Sequence, residues 1–298
     1  VAAQKHGRGD SVPDVIVPAA RGHYERLVSL AVDVRADADD SVHQMRVSTR
    51  RLRSLLGSYK HAFPSEETRT ARAELRWLGS VLGEARDAEV LAERFSALID
   101  AQPGDLVVGS VHQRLVGTQQ DLYRAAHASA VESLDEPRFA ALCALLDEIT
   151  SGRHPVPAEV TLRSGLDKAH RQLRKAAKKV RRLLDDGAEA GPALHRVRKR
   201  AKKLRYAAEA VAVAEPSAAD VGSAAKALQT VLGDHQDGVL ARAWIIDTVA
   251  QAREDDEDTF TYGLLYATEE QRADRAVDAL PQHVKAIRRA YRRLERKS

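Results

Sequence analysis

One basic helical segment occurs twice in this chain, so any fold it adopts must accommodate two copies of the same element. The first copy reads His43-Gln44-Met45-Arg46-Val47-Ser48-Thr49-Arg50-Arg51-Leu52-Arg53. The second reads His195-Arg196-Val197-Arg198-Lys199-Arg200-Ala201-Lys202-Lys203-Leu204-Arg205, at a constant offset of 152 residues from His43 to Arg205. Each copy is followed by a second landmark, Val81-Leu82-Gly83-Glu84 to Asp87 and Val231-Leu232-Gly233-Asp234 to Asp237. Two landmarks in the same order at nearly the same spacing mark an internal duplication. The duplicated element is a face of positive charge, which points to an anion as ligand.

The periodicity is helical almost throughout, with little period-two alternation and few β-branched runs, so the fold class is all-α. Helices are expected near 20–36, 41–60, 66–83, 86–100, 105–131, 136–150, 159–185, 192–213, 217–233, 237–253 and 259–296. Residues 1–17, with Gly7, Gly9 and Pro13, read as a tail. Asp40-Ser41 suits a helix start, and Pro192 suits the first turn of another. Gly83 and Gly233 suit helix ends in hairpins between antiparallel neighbours. The segment 151–157 (Ser-Gly-Arg-His-Pro-Val-Pro) is the clearest linker. It separates a first half, about 18–150, from a second, about 158–298.

Wound at about 100° per residue, His43, Arg46, Arg50 and Arg53 fall within about 80° of one another. Gly57 continues that stripe. Met45, Leu52, Leu56 and Tyr59 lie opposite, so the helix is expected to pack by one side and expose a row of cations on the other. In the second copy the row is His195, Arg198, Lys202 and Arg205, opposed by Val197, Leu204, Ala208 and Val211. Arg51 and Lys203 flank the rows at equivalent places. A third row, His170, Arg174, Lys178 and Arg181, lies in Lys168–Arg182, which holds eight Lys or Arg and no acid. The basic run Lys285–Lys297 either extends the site or is a solvated tail.

A charge run is ordinarily a solvated face, but solvated faces mix signs, because Glu and Lys at i,i+4 support a helix. These faces do not. Like charges at i,i+4 destabilise a helix by a few tenths of a kcal/mol per pair, a cost that an anionic ligand offsets. The formal net charge of only +4 conceals this segregation. Cations repeated every ~5.4 Å along a helix suit an extended polyanion better than one phosphate. A compact phosphate site would use a Gly-rich loop before a helix, and the sequence has none.

With these motifs the chain resembles the CHAD family, the conserved histidine α-helical domain. The paired His-x-x-Arg helices, the Leu-Gly-x-x-x-Asp segments and Tyr262-Gly263-Leu264-Leu265-Tyr266 carry the resemblance, which covers the chain from about residue 18 onward. It implies two antiparallel four-helix-bundle halves related by pseudo-two-fold symmetry. It also implies a binding role toward inorganic polyphosphate through a basic surface, with association to polyphosphate granules. Transferred by position, the binding residues are His43, Arg46, Arg50 and Arg53, with His195, Arg198, Lys202 and Arg205. Two positions depart: Lys202 stands where its partner is Arg50, and Asp237 follows Gln236 where Asp87 follows Arg86. Some members carry a triphosphate-tunnel enzyme domain. This chain lacks a Glu-x-Glu-x-Lys strand motif, so it is expected to be the binding module alone.

Catalysis is not expected, because no Gly-x-Ser-x-Gly, P-loop or His-Glu-x-x-His segment occurs. Asp87 and Asp237 read as helix caps or partners of basic side chains. The eleven His are scattered, with no pair at i,i+3 or i,i+4, so no metal or other cofactor is expected. Nucleic acid is the rival ligand, as basic helices bind phosphate backbones regardless of sequence. Aromatic residues are only 4% and Asn is absent, which leaves little for base stacking or adenine recognition. Weak nonspecific nucleic-acid binding is therefore the second expectation. No signal-peptide core or bilayer-length apolar run occurs, and single Cys143 lies in an apolar stretch, so a cytoplasmic protein with no membrane partner is expected.

Overall fold

The computed structural model describes residues 12–153, 162–212 and 214–297. Among these residues there is no strand, and nine α-helices form the chain. They are α1 (Val12–Arg35), α2 (Ser41–Ser58), α3 (Ser65–Asp100), α4 (Thr118–Asp135), α5 (Pro137–Ile149), α6 (Leu162–Asp185), α7 (Gly191–Val211), α8 (Ala218–Glu254) and α9 (Phe260–Lys297).

Three expectations from the sequence need correction. Gly83 and Gly233 do not end helices; α3 and α8 run straight through them for 36 and 37 residues. Both glycines are buried, and neither has positive φ. A mid-helix glycine costs only about 1 kcal/mol relative to alanine, so a long helix can run through it. By the same token Asp87 and Asp237 lie inside helices and cap neither. The expected tail, 1–17, also runs too far: α1 begins at Val12, carries Pro18 internally and buries Val15 and Ile16. Residues 1–11 and most of the expected linker, 154–161, lie outside the described residues.

The real stops use left-handed residues. Asp37, Gly187 and Asp256, with φ of 48°, 64° and 54°, follow α1, α6 and α8. After α6, the Ala188 N–H donates to the Leu183 carbonyl at 2.8 Å and Gly187 N–H to Leu184 at 3.1 Å. This doubled pattern satisfies carbonyls that a helix end would otherwise leave bare. The Asp40 position does start α2, but with left-handed φ and no side-chain cap; its carboxylate instead accepts from Gln44 at 2.5 Å.

The contacts divide the chain into two compact units: residues 1–80, 131–229 and 282–298 form one, and residues 81–130 and 230–281 the other. Each unit thus takes material from both halves of the sequence. In the first, α1 packs on α2 and α6 on α7, and α2 packs on α7. Leu27, Met45, Leu52, Leu56, Tyr59, Leu75 and Leu78 are fully buried there. Arginines clip its edges: Arg21 to Asp147 at 2.5 Å, Arg35 to Asp135 at 2.8 Å, and Arg138 to Glu74 at 2.6 Å. The second unit has its own core of Leu91, Phe95, Leu98, Val111, Leu115, Ile245, Tyr262 and Leu265. A buried ion pair, Arg94 to Glu269, spans α3 and α9 within it.

Candidate anion site on the first unit

The hydrophobic backs of the duplicated helices fall where the periodicity places them. Met45, Leu52 and Leu56 of α2, Tyr59 just after it, and Val197, Leu204, Ala208 and Val211 of α7 are at most 1% exposed. The cationic sides differ from expectation. His43, Arg46, Arg50 and Arg53, with His195, Arg198, Lys202 and Arg205, are half-buried, not open to solvent, because α2 and α7 pack on each other. Lys203 is exposed.

That packing crowds cations together. The Arg50 guanidinium donates to the Tyr206 hydroxyl across the two helices. Burial lowers its pKa, Tyr206 opposes that shift, and the Arg46 and Arg198 charges lower it further. Arg53 is depressed by burial and then by Arg76, Arg50 and Arg72. Although Lys203 is exposed as a residue, desolvation of its ammonium by the surrounding protein lowers its pKa, and Arg200, Arg72, Lys168 and Arg53 lower it further. Burial is the largest cause of each shift, and the neighbouring like charges add to it.

Four Nε donors of this cluster are also buried without a hydrogen-bond partner among the described residues: those of Arg50, Arg51, Arg72 and Arg198. A buried donor left unmade costs about 1–3 kcal/mol, more for a charged group. Arg72 and Arg76 come from α3 and were not among the residues singled out in sequence. The signal for Arg72 was Gly57. The Arg72 guanidinium lies on it so closely that a Cβ there would come within 3.0 Å. A glycine continuing a cationic stripe marks where another cation reaches in from a neighbouring helix.

The remaining candidates separate into three environments. Arg51 and Arg205 both reach Glu209, at 3.5 and 2.6 Å, so they belong to an ion-paired network that ties α2 to α7. Arg174, Lys178 and Arg181 are exposed on α6, Arg181 lying 3.6 Å from Asp185. His170 is the correction: it is buried, 6% exposed, with its ring stacked on Tyr291 at 3.6 Å. On a helical wheel it lies within about 60° of Leu166, Leu173 and Ala177, so it belongs to the buried stripe and not to the cationic row. The basic face of α6 is centred instead on Arg171, Lys175, Lys178, Lys179 and Arg182, all exposed. In the C-terminal run, Lys285, Arg288, Arg289, Arg292, Arg293 and Arg296 are exposed, while Ile287, Tyr291 and Leu294 face the core. Cys143 is only half-buried.

Burial, with Arg174 and Arg171 beside it and Asp167 opposing, pushes His170 down to about 4. Its Nε2 has no hydrogen-bond partner. The unfolded chain binds the proton near 6.5, the folded chain only near 4. Stability from the neutral ring is therefore complete above about pH 6.5 and is lost as pH falls toward 4. The loss is on the order of 2–3 kcal/mol. His170→Phe keeps the stack on Tyr291 and removes the proton site. We expect the drop in melting temperature between pH 7 and pH 5 to be smaller in this variant than in wild type. Equal drops would place the acid sensitivity elsewhere.

Among the described residues no group of three or more His, Cys, Asp or Glu is placed to hold a metal ion, and no helix is long and apolar enough to cross a membrane. The model of the CHAD domain matches residues 18–246, most of the chain. The chain belongs to the CHAD family. Over 283 residues it is 40% identical to two uncharacterised proteins of Mycobacterium tuberculosis, Rv2226 and MT2285. That match covers 94% of this CHAD chain and 54% of each relative, so the chain spans about half their length. Two solved structures share its fold. The CHAD domain from the plant Ricinus communis is 27% identical, with a TM-score of 0.71 over 93% of this chain and 92% of that one. PptA from Streptomyces chartreusis, 20% identical, also has a TM-score of 0.71, over 92% and 99% of the two chains; at that identity the likeness concerns the fold alone.

Proposed function

We propose that this CHAD protein binds inorganic polyphosphate at the cation cluster formed by α2, α3 and α7, acts as a binding module and not as an enzyme, and associates with polyphosphate granules in the cytoplasm. The observation that carries this reading is the set of buried, unpartnered Nε donors on Arg50, Arg51, Arg72 and Arg198 amid mutually repelling cations. A chain of phosphates offers several acceptor oxygens per unit and one charge after another along its length. It answers both the missing hydrogen bonds and the like-charge crowding. The family membership supports the same ligand.

The duplication gives this site its symmetry. The basic helices α2 and α7 sit at the 152-residue offset and pack on each other. The breaks between the compact units, 80/81 and 229/230, fall at equivalent points of the two copies, beside Val81 and Val231. This supports two halves related by a pseudo-two-fold axis, each giving an equal share to each unit. A nucleic acid would compete through its backbone only.

Binding to long-chain polyphosphate should fall steeply with salt, since each cation that meets a phosphate releases a counterion. Labelled polyphosphate titrated at several salt concentrations, with single-stranded DNA as competitor, measures this. We expect polyphosphate to win at equal phosphate concentration, and the same incubation with Mg²⁺ to release no phosphate. Salt-independent affinity, preference for DNA, or phosphate release at enzymatic rates would each overturn the proposal.

A further inference from the structure

We propose that the groove between α6 and α7 is a second phosphate-chain subsite, continuous with the α2–α3–α7 cluster, which makes the protein selective for long linear polyphosphate over short. This rests on the reading above and extends it to chain length.

The groove has a volume of about 780 Å³ and is edged by Lys175, Lys178, Lys179 and Arg182 from α6 and by Arg196 and Arg200 from α7. Ala176 and Leu183 also line it. Small and apolar side chains there leave the trough open between the two cationic walls. Lys175, Lys178, Lys179 and Arg182 span about two turns, so this wall runs for about 10 Å. Lys175 with Lys179, Lys178 with Arg182, and Arg196 with Arg200 are like-charge pairs at i,i+4, each unfavourable to its helix. None of the six forms an ion pair among the described residues, whereas Arg21, Arg35 and Arg138 on other helices of the same unit all do. Six cations on two walls, unmatched by carboxylates, fit a ligand that carries negative charge along a line.

Arg200 joins this groove to the cluster. Its guanidinium donates to the Gln172 side-chain oxygen, from α7 to α6. Its charge also acts on Lys203, which feels Arg72 and Arg53 as well. Lys203 lies one turn along α7 from Arg200 and is exposed, so it stands between the groove and the cluster cations Arg53 and Arg72. Among the described residues no aromatic side chain lines the groove, so it offers phosphates a track and bases no platform. A short chain fills the cluster alone. A long chain occupies cluster and groove together, and the second contact is intramolecular once the first is made.

The test pairs two double variants with two probes. Lys179→Ala with Arg182→Ala removes exposed groove cations. Arg50→Ala with Arg72→Ala removes the cluster. Folding is checked by circular dichroism, and binding of triphosphate and of long-chain polyphosphate is measured for each. We expect the groove variant to lose about tenfold or more for the long chain and to stay within about twofold of wild type for triphosphate. The cluster variant should weaken both. A folded groove variant that binds the long chain like wild type overturns the inference and leaves the proposed function standing. So does one that loses both probes equally, or one that loses an oligonucleotide while keeping polyphosphate. A wild-type protein that binds no long-chain polyphosphate removes the proposed function itself, and this inference with it.

Discussion

Arg50→Ala with Arg72→Ala is expected to weaken long-chain polyphosphate binding by about 100-fold or more while leaving the helices intact. Hydrogen bonds to charged groups contribute about 1.5–3 kcal/mol each, and two lost together exceed the 2.7 kcal/mol that a hundredfold represents. The salt dependence should flatten as well, since two fewer counterions are released. The fold should not suffer. Both guanidinium groups have buried Nε donors with no partner, and the charges around Arg50 and Arg53 are repulsive. Removing them relieves a penalty in the ligand-free protein, so the melting temperature should hold or rise. The opposed signs make the measurement decisive. A variant that binds normally places the ligand elsewhere; one that unfolds makes these arginines structural.

Arg94→Ala is expected to cost about 3 kcal/mol of stability, the largest loss from any single arginine in the second unit. Arg94 donates from Nε and Nη2 to the two carboxylate oxygens of Glu269 at 3.0 and 2.5 Å, and from Nη1 to Asp234 at 2.8 Å. Glu269 is completely buried. Gly238 makes room for the pair: a Cβ there would come within 2.8 Å of Glu269 Oε2. Truncating Arg94 strands a buried carboxylate, which among the described residues keeps an ion pair with Arg272 at 3.3 Å. Breaking such a pair from one side is costly, about 3–5 kcal/mol, even where the intact pair contributes little net stability. Thermal unfolding should shift down by several degrees. Adding Glu269→Gln to Arg94→Ala should restore part of the loss, because the stranded group is then neutral. A single variant that melts like wild type would show that water or another cation solvates Glu269.

Much of the helical architecture was legible. A period of 3.6 with few β-branched runs leaves no alternative to helices, and the burial of Met45, Leu52, Leu56, Val197 and Leu204 follows from that period alone. The errors have physical causes. A glycine is ambiguous between a left-handed stop and a buried position inside a continuous helix, and Gly83 and Gly233 are the second kind. Gly187, in a stretch of acidic and small residues, is the first kind. On α6 the charges cover so much of the circumference that a row can be drawn through a core residue, as with His170. Eight cations in fifteen positions do not show which face is buried; Leu166, Leu173 and Val180 do.

The sequence by itself determined that the chain is helical, that it is duplicated, and that α2 and α7 carry matched rows of cations, because these are properties of local spacing and charge. Only the tertiary structure decided how those cations are used. Packing α2 on α7 turned two exposed rows into one half-buried cluster, brought Arg72 and Arg76 in from α3, and diverted Arg51 and Arg205 to Glu209. It also opened the cationic groove between α6 and α7. Which charges are neutralised and which are left waiting depends on the distances between side chains far apart in sequence. A helical period fixes the direction of each side chain but not what stands opposite it.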